Sequence, residues 1–382
     1  MRVSVIGMGV QGSAIASVLT RVKEVSEIVC ADVNLVRAKR TADKLNDYRV
    51  RYCQVDANNL SDVKKVTEGT DVVINASLPW FNLTVMAAAL DTGSHYVDLA
   101  SDDPLEQLKS DDKWRRAGLT AVITQGGPFV INALVKSAAD SLDRVDEIRL
   151  RHGWRRIGEK DLVSSWSPSW SPEVALSEWE SDPIIYNDGE YERRPMFSGI
   201  EEYRFPSPLG LLAVCSVDYE PVYTLPRLVD KGVRYVDCKI PPDPLAGALI
   251  KMGLARREPL EVKGVKIAPR DVLMALTPQP ADLDEKSVTH SDVLLCYLAE
   301  VEGEKAGERL IHTLYRAFSA SGDLKRHGVR WANVSVPAVV TAIMLAKNEV
   351  EPGVVPPEGL LSSFLTRLGE WGMTFQRSIT KK

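Results

Sequence analysis

Cysteine and histidine are scarce in this chain, five of each in 382 residues. The cysteines (Cys30, Cys53, Cys215, Cys238 and Cys296) are scattered, odd in number, and form no C-x-x-C. That excludes a disulfide framework and predicts reduced, buried thiols in a cytoplasmic protein. The histidines have no ligand spacing, so no metal site is expected. An excess of one charge is also missing. The net charge is -5, which gives neither nucleic acid nor an anionic membrane a reason to bind. Long apolar runs are absent as well. The longest late one, residues 334–346, holds Pro337 and Thr341 and is too short to span a bilayer. Residues 1–10 read as a strand rather than a signal peptide. What remains is 45% hydrophobic and 26% charged, the composition of a soluble globular protein with room for two domains.

The first strand and turn organise the rest. The stretch Arg2-Val3-Ser4-Val5-Ile6-Gly7-Met8-Gly9-Val10-Gln11-Gly12 is an apolar run ending in G-x-G-x-x-G. A helical stripe of Ala14, Ile15, Val18, Leu19 and Val22 follows it. Gly7 is expected to make the tight turn, Gly9 to admit a pyrophosphate, and Gly12 to let the helix pack close. The helix N-terminus would then meet the phosphates. A second strand ends in Asp32, twenty residues past Gly12, where dinucleotide folds place a carboxylate for the ribose hydroxyls. A carboxylate repels a 2′-phosphate, so NAD is expected ahead of NADP. Arg37, Lys39 and Arg40 follow closely and would suit the phosphate.

Strand and helix patterns alternate through the first third. Strand ends are predicted at Gly7, Asp32, Asp56, Asn75-Ala76-Ser77, Asp98 and Gly126-Gly127. The reading is an α/β fold: a Rossmann-type doubly wound parallel sheet over residues 1–128, completed by C-terminal helices from 333–382. Residues 129–332 read as a second α+β domain with an open sheet. There the period-two run from Glu147 to Trp154 leads to long, half-buried strands. Residues 164–208, rich in tryptophan, proline and serine, read as ordered loops over a cleft. Exposed sheet edges between about residues 140 and 330 predict a homodimer.

These residues resemble the saccharopine dehydrogenase-like oxidoreductases, and among them the lysine 6-dehydrogenases. The resemblance is carried by the glycine turn, Val55-Asp56-Ala57, Val73-Ile74-Asn75-Ala76, Tyr96-Val97-Asp98 and Gly127-Pro128 with Asn132. Further on come Ser169-Trp170-Ser171-Pro172, Thr224-Leu225-Pro226, Arg234-Tyr235, Val336-Pro337-Ala338 and Gly353-Val354-Val355-Pro356-Pro357-Glu358. It implies hydride transfer between a nicotinamide and the C–N bond of an amino acid or an imine adduct. It also implies that Asp56 meets the adenine amino group. The cofactor set is then Gly7, Gly9, Val10, Gln11, Gly12, Asp32, Asp56, Ala57, Ala76, Ser77 and Leu78. The chain departs from the pattern at Phe129, where the family has glycine, and at Cys238, where it has histidine. Both are expected near the substrate.

Oxidising an amine needs a proton acceptor close to the reacting carbon. Asp98, at a strand end beside the expected nicotinamide, is the first candidate and His152 the second. A turn-forming role for Asp98 and a satisfied core position for His152 are the competing readings. Arg234 offers a bidentate fork for a substrate carboxylate, and a solvated arginine or a structural ion pair is the competing reading. Trp80, Phe129 and Trp154 are expected in the pocket walls. Two alternatives stand beside the dehydrogenase. One is an enzyme that returns the hydride without net turnover, as polyamine synthases and cyclodeaminases do. The other is a non-catalytic nucleotide sensor.

Overall fold

A computed structural model describes residues 1–158, 166–280, 291–360 and 362–382. Six strands open the chain: β1 (Arg2–Ile6), β2 (Glu27–Asp32), β3 (Val50–Gln54), β4 (Val72–Asn75), β5 (His95–Asp98) and β6 (Thr120–Val122). Their spatial order is 6-5-4-1-2-3, every neighbouring pair is parallel, and a strand at Gly353–Val355 extends the β6 edge. The order reverses between β1 and β4, and a crevice opens above their carboxyl ends there. Gly7 and Ala76 flank it. The Gly7 N–H donates to Ala31 O and the Ala76 N–H to Ile6 O, which fixes both strand ends.

Helices cover both faces, as buried, near-continuously apolar parallel strands require. Helix α1 (Val10–Leu19) packs with the helix Ala332–Ala346, whose residues are buried through Leu345. The expected return of the chain to the first domain is therefore present, and the seventh strand comes with it. The return is not complete. The last strand, Gln376–Lys381, pairs with Glu308–Ser319 in the second sheet. A second C-terminal helix runs over Ser362–Glu370; Leu361 lies outside the described residues.

The second domain is built on a nine-stranded mixed sheet. Its axis is β7 (Arg144–Gly158), which runs antiparallel to Ser291–Lys305 and parallel to Tyr235–Ile240. Helix Val130–Asp140 joins the two domains. At its base a Cβ on Gly127 would lie 2.8 Å from Asn333 Nδ2 and 3.1 Å from the Tyr297 hydroxyl. Only a residue without a side chain fits where the returning helix, the second sheet and the entry helix meet. The aromatic stretch after residue 166 covers the cleft as expected; Ser164 and Ser165 lie outside the described residues. The five thiols are unpaired, and all but Cys53 are buried.

Candidate active site

One cleft of about 1160 Å³ runs from the glycine turn to the aromatic stretch of the second domain. Small-molecule pockets hold roughly 300–1,000 Å³, so this one has room for a dinucleotide and a second molecule.

At the nucleotide end the three glycines divide the work as expected. Gly7 has φ +94°, and a Cβ there would lie 2.7 Å from Ala76 O. A Cβ on Gly12 would overlap the Gly7 carbonyl, whereas one on Gly9 would meet nothing within 4 Å. The space beside Gly9 is open at the N-terminus of α1, which has no side-chain cap. A helix start with free N–H groups and no blocking side chain suits a pyrophosphate. Val10, Gln11, Asp32, Asp56, Ala57, Ala76, Ser77 and Leu78 all line this end, as does Arg37. Asp32 has a second duty that the spacing does not show. Its carboxylate accepts from Met8 N at 2.6 Å and from Asn34 N at 2.8 Å, pinning the glycine turn to β2. The residues present therefore fit a dinucleotide.

At the other end the sequence expectations divide. Trp80, Phe129 and Trp154 line the cleft. Trp80 stacks under the Arg257 guanidinium, Phe129 meets Tyr219 edge-on at 5.6 Å, and Trp154 meets Trp170 at 5.9 Å. His152 also reaches the cleft. It is 1% exposed, neither ring nitrogen has a partner, and burial beside Arg151 lowers its pKa to about 3. It stays neutral and is too weak a base to take a proton from an ammonium. It serves as a polar wall.

Asp98 is displaced from its expected role. It has no solvent exposure and does not line the cleft. Its side chain turns inward, where it accepts from Thr124 N at 2.6 Å and Gln107 Nε2 at 2.7 Å, tying the end of β5 to the end of β6. Burial pushes its pKa up to about 7. The side chain ties two strand ends together rather than forming a turn, and the nearby helix is capped by Asp103. Arg234 is displaced too. It is exposed, paired with the equally exposed Asp188, and outside the cleft. It stands just before the strand Tyr235–Ile240, whose other end, at Ile240, reaches the cleft. Cys238 is 1% exposed and lies in the core behind the wall instead of in the cleft. Of the two departures from the family pattern, only Phe129 faces the ligand space.

Several cleft residues carry no signal in the sequence. Asp102 of the first domain and Glu173, Glu178, Asp218, Glu220 and Asp243 of the second line the far half of the cleft, and Arg156 lines it with them. Glu220 accepts from Ser101 N at 2.7 Å, and burial pushes its pKa to about 7. Burial and the neighbouring Glu220 push Glu178 to about 8. Tyr223 donates to Asp218 at 2.7 Å and Trp166 to Asp243 at 2.9 Å. Arg156 spends one nitrogen on Ser167 O at 2.8 Å. Gln11 Oε1, Trp170 Nε1, Glu178 Oε2 and Asn333 Oδ1 are buried without protein partners and all belong to cleft-lining residues. Buried polar atoms need partners, and a ligand would supply them. Acidic groups among aromatic faces hold a cationic amine by charge and by cation–π attraction. These carboxylates sit in loops and at helix ends, where no periodicity marks them.

The glycine turn at a topological switch point, with a second domain closing the cleft, defines a two-domain NAD(P)-binding oxidoreductase. The chain belongs to the saccharopine dehydrogenase family. The saccharopine dehydrogenase NADP binding domain matches residues 3–122, and the saccharopine dehydrogenase C-terminal domain matches residues 130–373. The chain is 26% identical to carboxynorspermidine synthase of Vibrio cholerae, over 80% of this chain and 77% of that protein. It is 25% identical to carboxyaminopropylagmatine dehydrogenase of Synechocystis sp., over 99% and 98%. In fold it is similar to apo saccharopine dehydrogenase (L-Glu forming) from Saccharomyces cerevisiae, with TM-score 0.72 and 15% identity over 99% of both chains. None of these three is a lysine 6-dehydrogenase.

Proposed function

We propose that this protein makes or breaks the secondary amine that joins an alkyl polyamine to a carboxylate-bearing fragment, with NAD(P)(H) as the redox partner. The observation that carries this reading is the acidic lining of the substrate half of the cleft, six carboxyl groups and one arginine; Arg270 pairs with Glu173 and Arg193 with Asp218, whereas Asp102, Glu178, Glu220 and Asp243 have no ion-pair partner among the described residues. A simple amino acid, with its carboxylate, has little reason to enter such a space. A polyamine does, and one arginine suffices for one carboxylate. The names of the two curated relatives, each a carboxylated aminoalkyl compound, agree with that pairing.

When bound, the nicotinamide exchanges a hydride with the carbon next to nitrogen. The chain's own residues do the rest. The open turn at Gly9 and the N-terminus of α1 hold the diphosphate, and Asp32 and Asp56 stand at the adenosine end. Trp80, Trp154, Trp170 and Phe129 exclude water from the reacting carbon. The carboxylates bind the distal ammonium groups, and Arg156 receives the carboxylate that Arg234 is too far out to meet.

The test is a panel of alkyl diamines and amino acids, each paired with a short carboxylated aldehyde and followed by NADPH or NADH absorbance. Diamines should support nucleotide oxidation only when the aldehyde is present. Turnover with amino acids but not diamines would overturn the polyamine reading.

A further inference from the structure

Glu178 stands apart from the other cleft carboxylates. Asp218 accepts from Tyr223, Asp243 from Trp166, and Glu220 from Ser101 N. Glu178 keeps Oε2 buried, unpartnered and on the cleft wall. Beside it is the Trp170 indole, whose Nε1 faces the carboxyl without completing a well-formed hydrogen bond. Tyr219 lies alongside and carries the wall on to Phe129, two residues past Gly127 at the end of the nucleotide sheet. A carboxyl with a free oxygen therefore sits on the wall that continues to the nicotinamide side. His152 is too weak a base and Asp98 is sealed behind the wall, which leaves the acceptor's role to the cleft carboxyls; among the described residues only Glu178 of these has a buried oxygen without a partner.

We propose that Glu178 carries the protons of amine condensation: it takes one from the incoming ammonium and returns it to the departing hydroxyl. This rests on the secondary-amine reading above. As carboxylate, Glu178 removes a proton from R–NH₃⁺ and becomes the acid. The neutral amine adds to the aldehyde carbon, and a proton passes from nitrogen to the former carbonyl oxygen. The protonated Glu178 then gives its proton to that hydroxyl, the C–O bond breaks, and water leaves. The iminium forms and Glu178 is a carboxylate again. Hydride from NAD(P)H completes the secondary amine. The groups facing Glu178 suit this cycle. Burial raises its proton affinity and Glu220 and Asp243 add to the rise, while the Tyr219 and Trp170 side chains, near enough to donate toward the carboxyl, oppose it. Arg156 and neutral His152 share the same cleft. A carboxyl held near neutrality can act in both directions.

The experiment compares wild type with Glu178→Gln and Glu178→Asp, using 1,3-diaminopropane or 1,4-diaminobutane with succinic semialdehyde and NAD(P)H. Glu178→Gln should lower kcat by roughly 10²–10⁴ and lose the limb of the pH profile near pH 8. Glu178→Asp should recover part of the rate, and nucleotide affinity should be unchanged in both. Calorimetry gives a second readout. At pH 7 diamine binding should release up to about one proton from wild type, measured across buffers of different ionisation enthalpy. Glu178→Gln should release up to about one proton fewer, with Glu220 supplying what remains. Wild type inactive with every amine–aldehyde pair would overturn the secondary-amine reading and this role with it. An active wild type with an equally active Glu178→Gln, or unaltered proton release, would overturn the Glu178 assignment alone.

Discussion

Replacing Gly9 by alanine should separate nucleotide binding from folding. Gly9 has φ -70° and ψ -163°, an extended conformation that alanine adopts freely, and its Cβ would meet nothing within 4 Å. The apoprotein should therefore be no less stable. It should gain about 0.4–1 kcal/mol, because alanine restricts the unfolded chain. The effect appears with ligand. At a free nucleotide concentration of 100 Kd, wild type is stabilised by about 2.7 kcal/mol. The new methyl occupies the approach of the diphosphate, and a tenfold rise in Kd alone would remove about 1.4 kcal/mol of that. Gly12→Ala is the contrasting control. Its methyl overlaps the Gly7 carbonyl, and Gly7 cannot retreat because Ala76 O lies behind it. Overpacking of this kind costs about 1–3 kcal/mol, so the apoprotein itself should melt lower. The assay is thermal unfolding with and without NADH or NADPH, with calorimetric Kd values alongside. A Gly9→Ala protein that melts lower without ligand, or keeps the full ligand shift, would refute the placement of the diphosphate.

Other outcomes follow from the same geometry. Asp98→Asn should act on stability rather than turnover, since an amide must point its NH₂ at the Gln107 NH₂ or at Thr124 N–H. The expected loss is about 1–3 kcal/mol, read by denaturant melts, with kcat per folded molecule within a few-fold of wild type. The Asp98 carboxyl is raised to about 7 in the fold from 3.8. Its contribution to stability is thus full below pH 3.8 and lost as pH rises through about 7, and the variant should show a shallower loss over that window. Arg234→Ala should leave KM unchanged, because its partner and its position are both in solvent. Arg156→Ala should raise KM for the carboxylated substrate; equal effects from the two would place the clamp elsewhere. Asp32→Ala should shift preference from NAD(H) toward NADP(H), with Arg37 lining the same end. It should also lower stability, as two backbone N–H groups lose their acceptor.

The nucleotide half was legible in the sequence because backbone geometry dictates it. A helix start open to phosphate needs glycine at fixed offsets, and strands buried on both faces must be apolar runs. Gly7, Gly9, Gly12 and the strand ends at Asp56 and Ser77 could be read from those rules alone. The returning helix could be read too, since a helix apolar all round needs a large body to bury it. The substrate half follows no such rule. Glu178 ends a short helix, Glu220 begins another, and Arg156 lies on a strand. Nothing in their spacing brings them together. Asp98 was misplaced for a related reason. The end of a strand marks the level of the crevice, but whether a side chain turns toward it depends on its donors, here Thr124 N and Gln107. Arg234 shows that a family motif fixes a strand position without fixing what the side chain faces.

The chemistry proposed for this cleft moves a hydride from the nucleotide to a carbon attached to nitrogen, with net oxidation of the nucleotide. The direct measurement uses nicotinamide nucleotide deuterated at the transferable position, an alkyl diamine and a carboxylated aldehyde, with the product analysed by mass spectrometry. The account predicts a secondary amine with a single deuterium on the carbon beside nitrogen, formed in step with nucleotide oxidation. A coupled amine formed without net oxidation would contradict it and show that the hydride is returned within the cycle. Deuterium in an alcohol rather than an amine would contradict it as well.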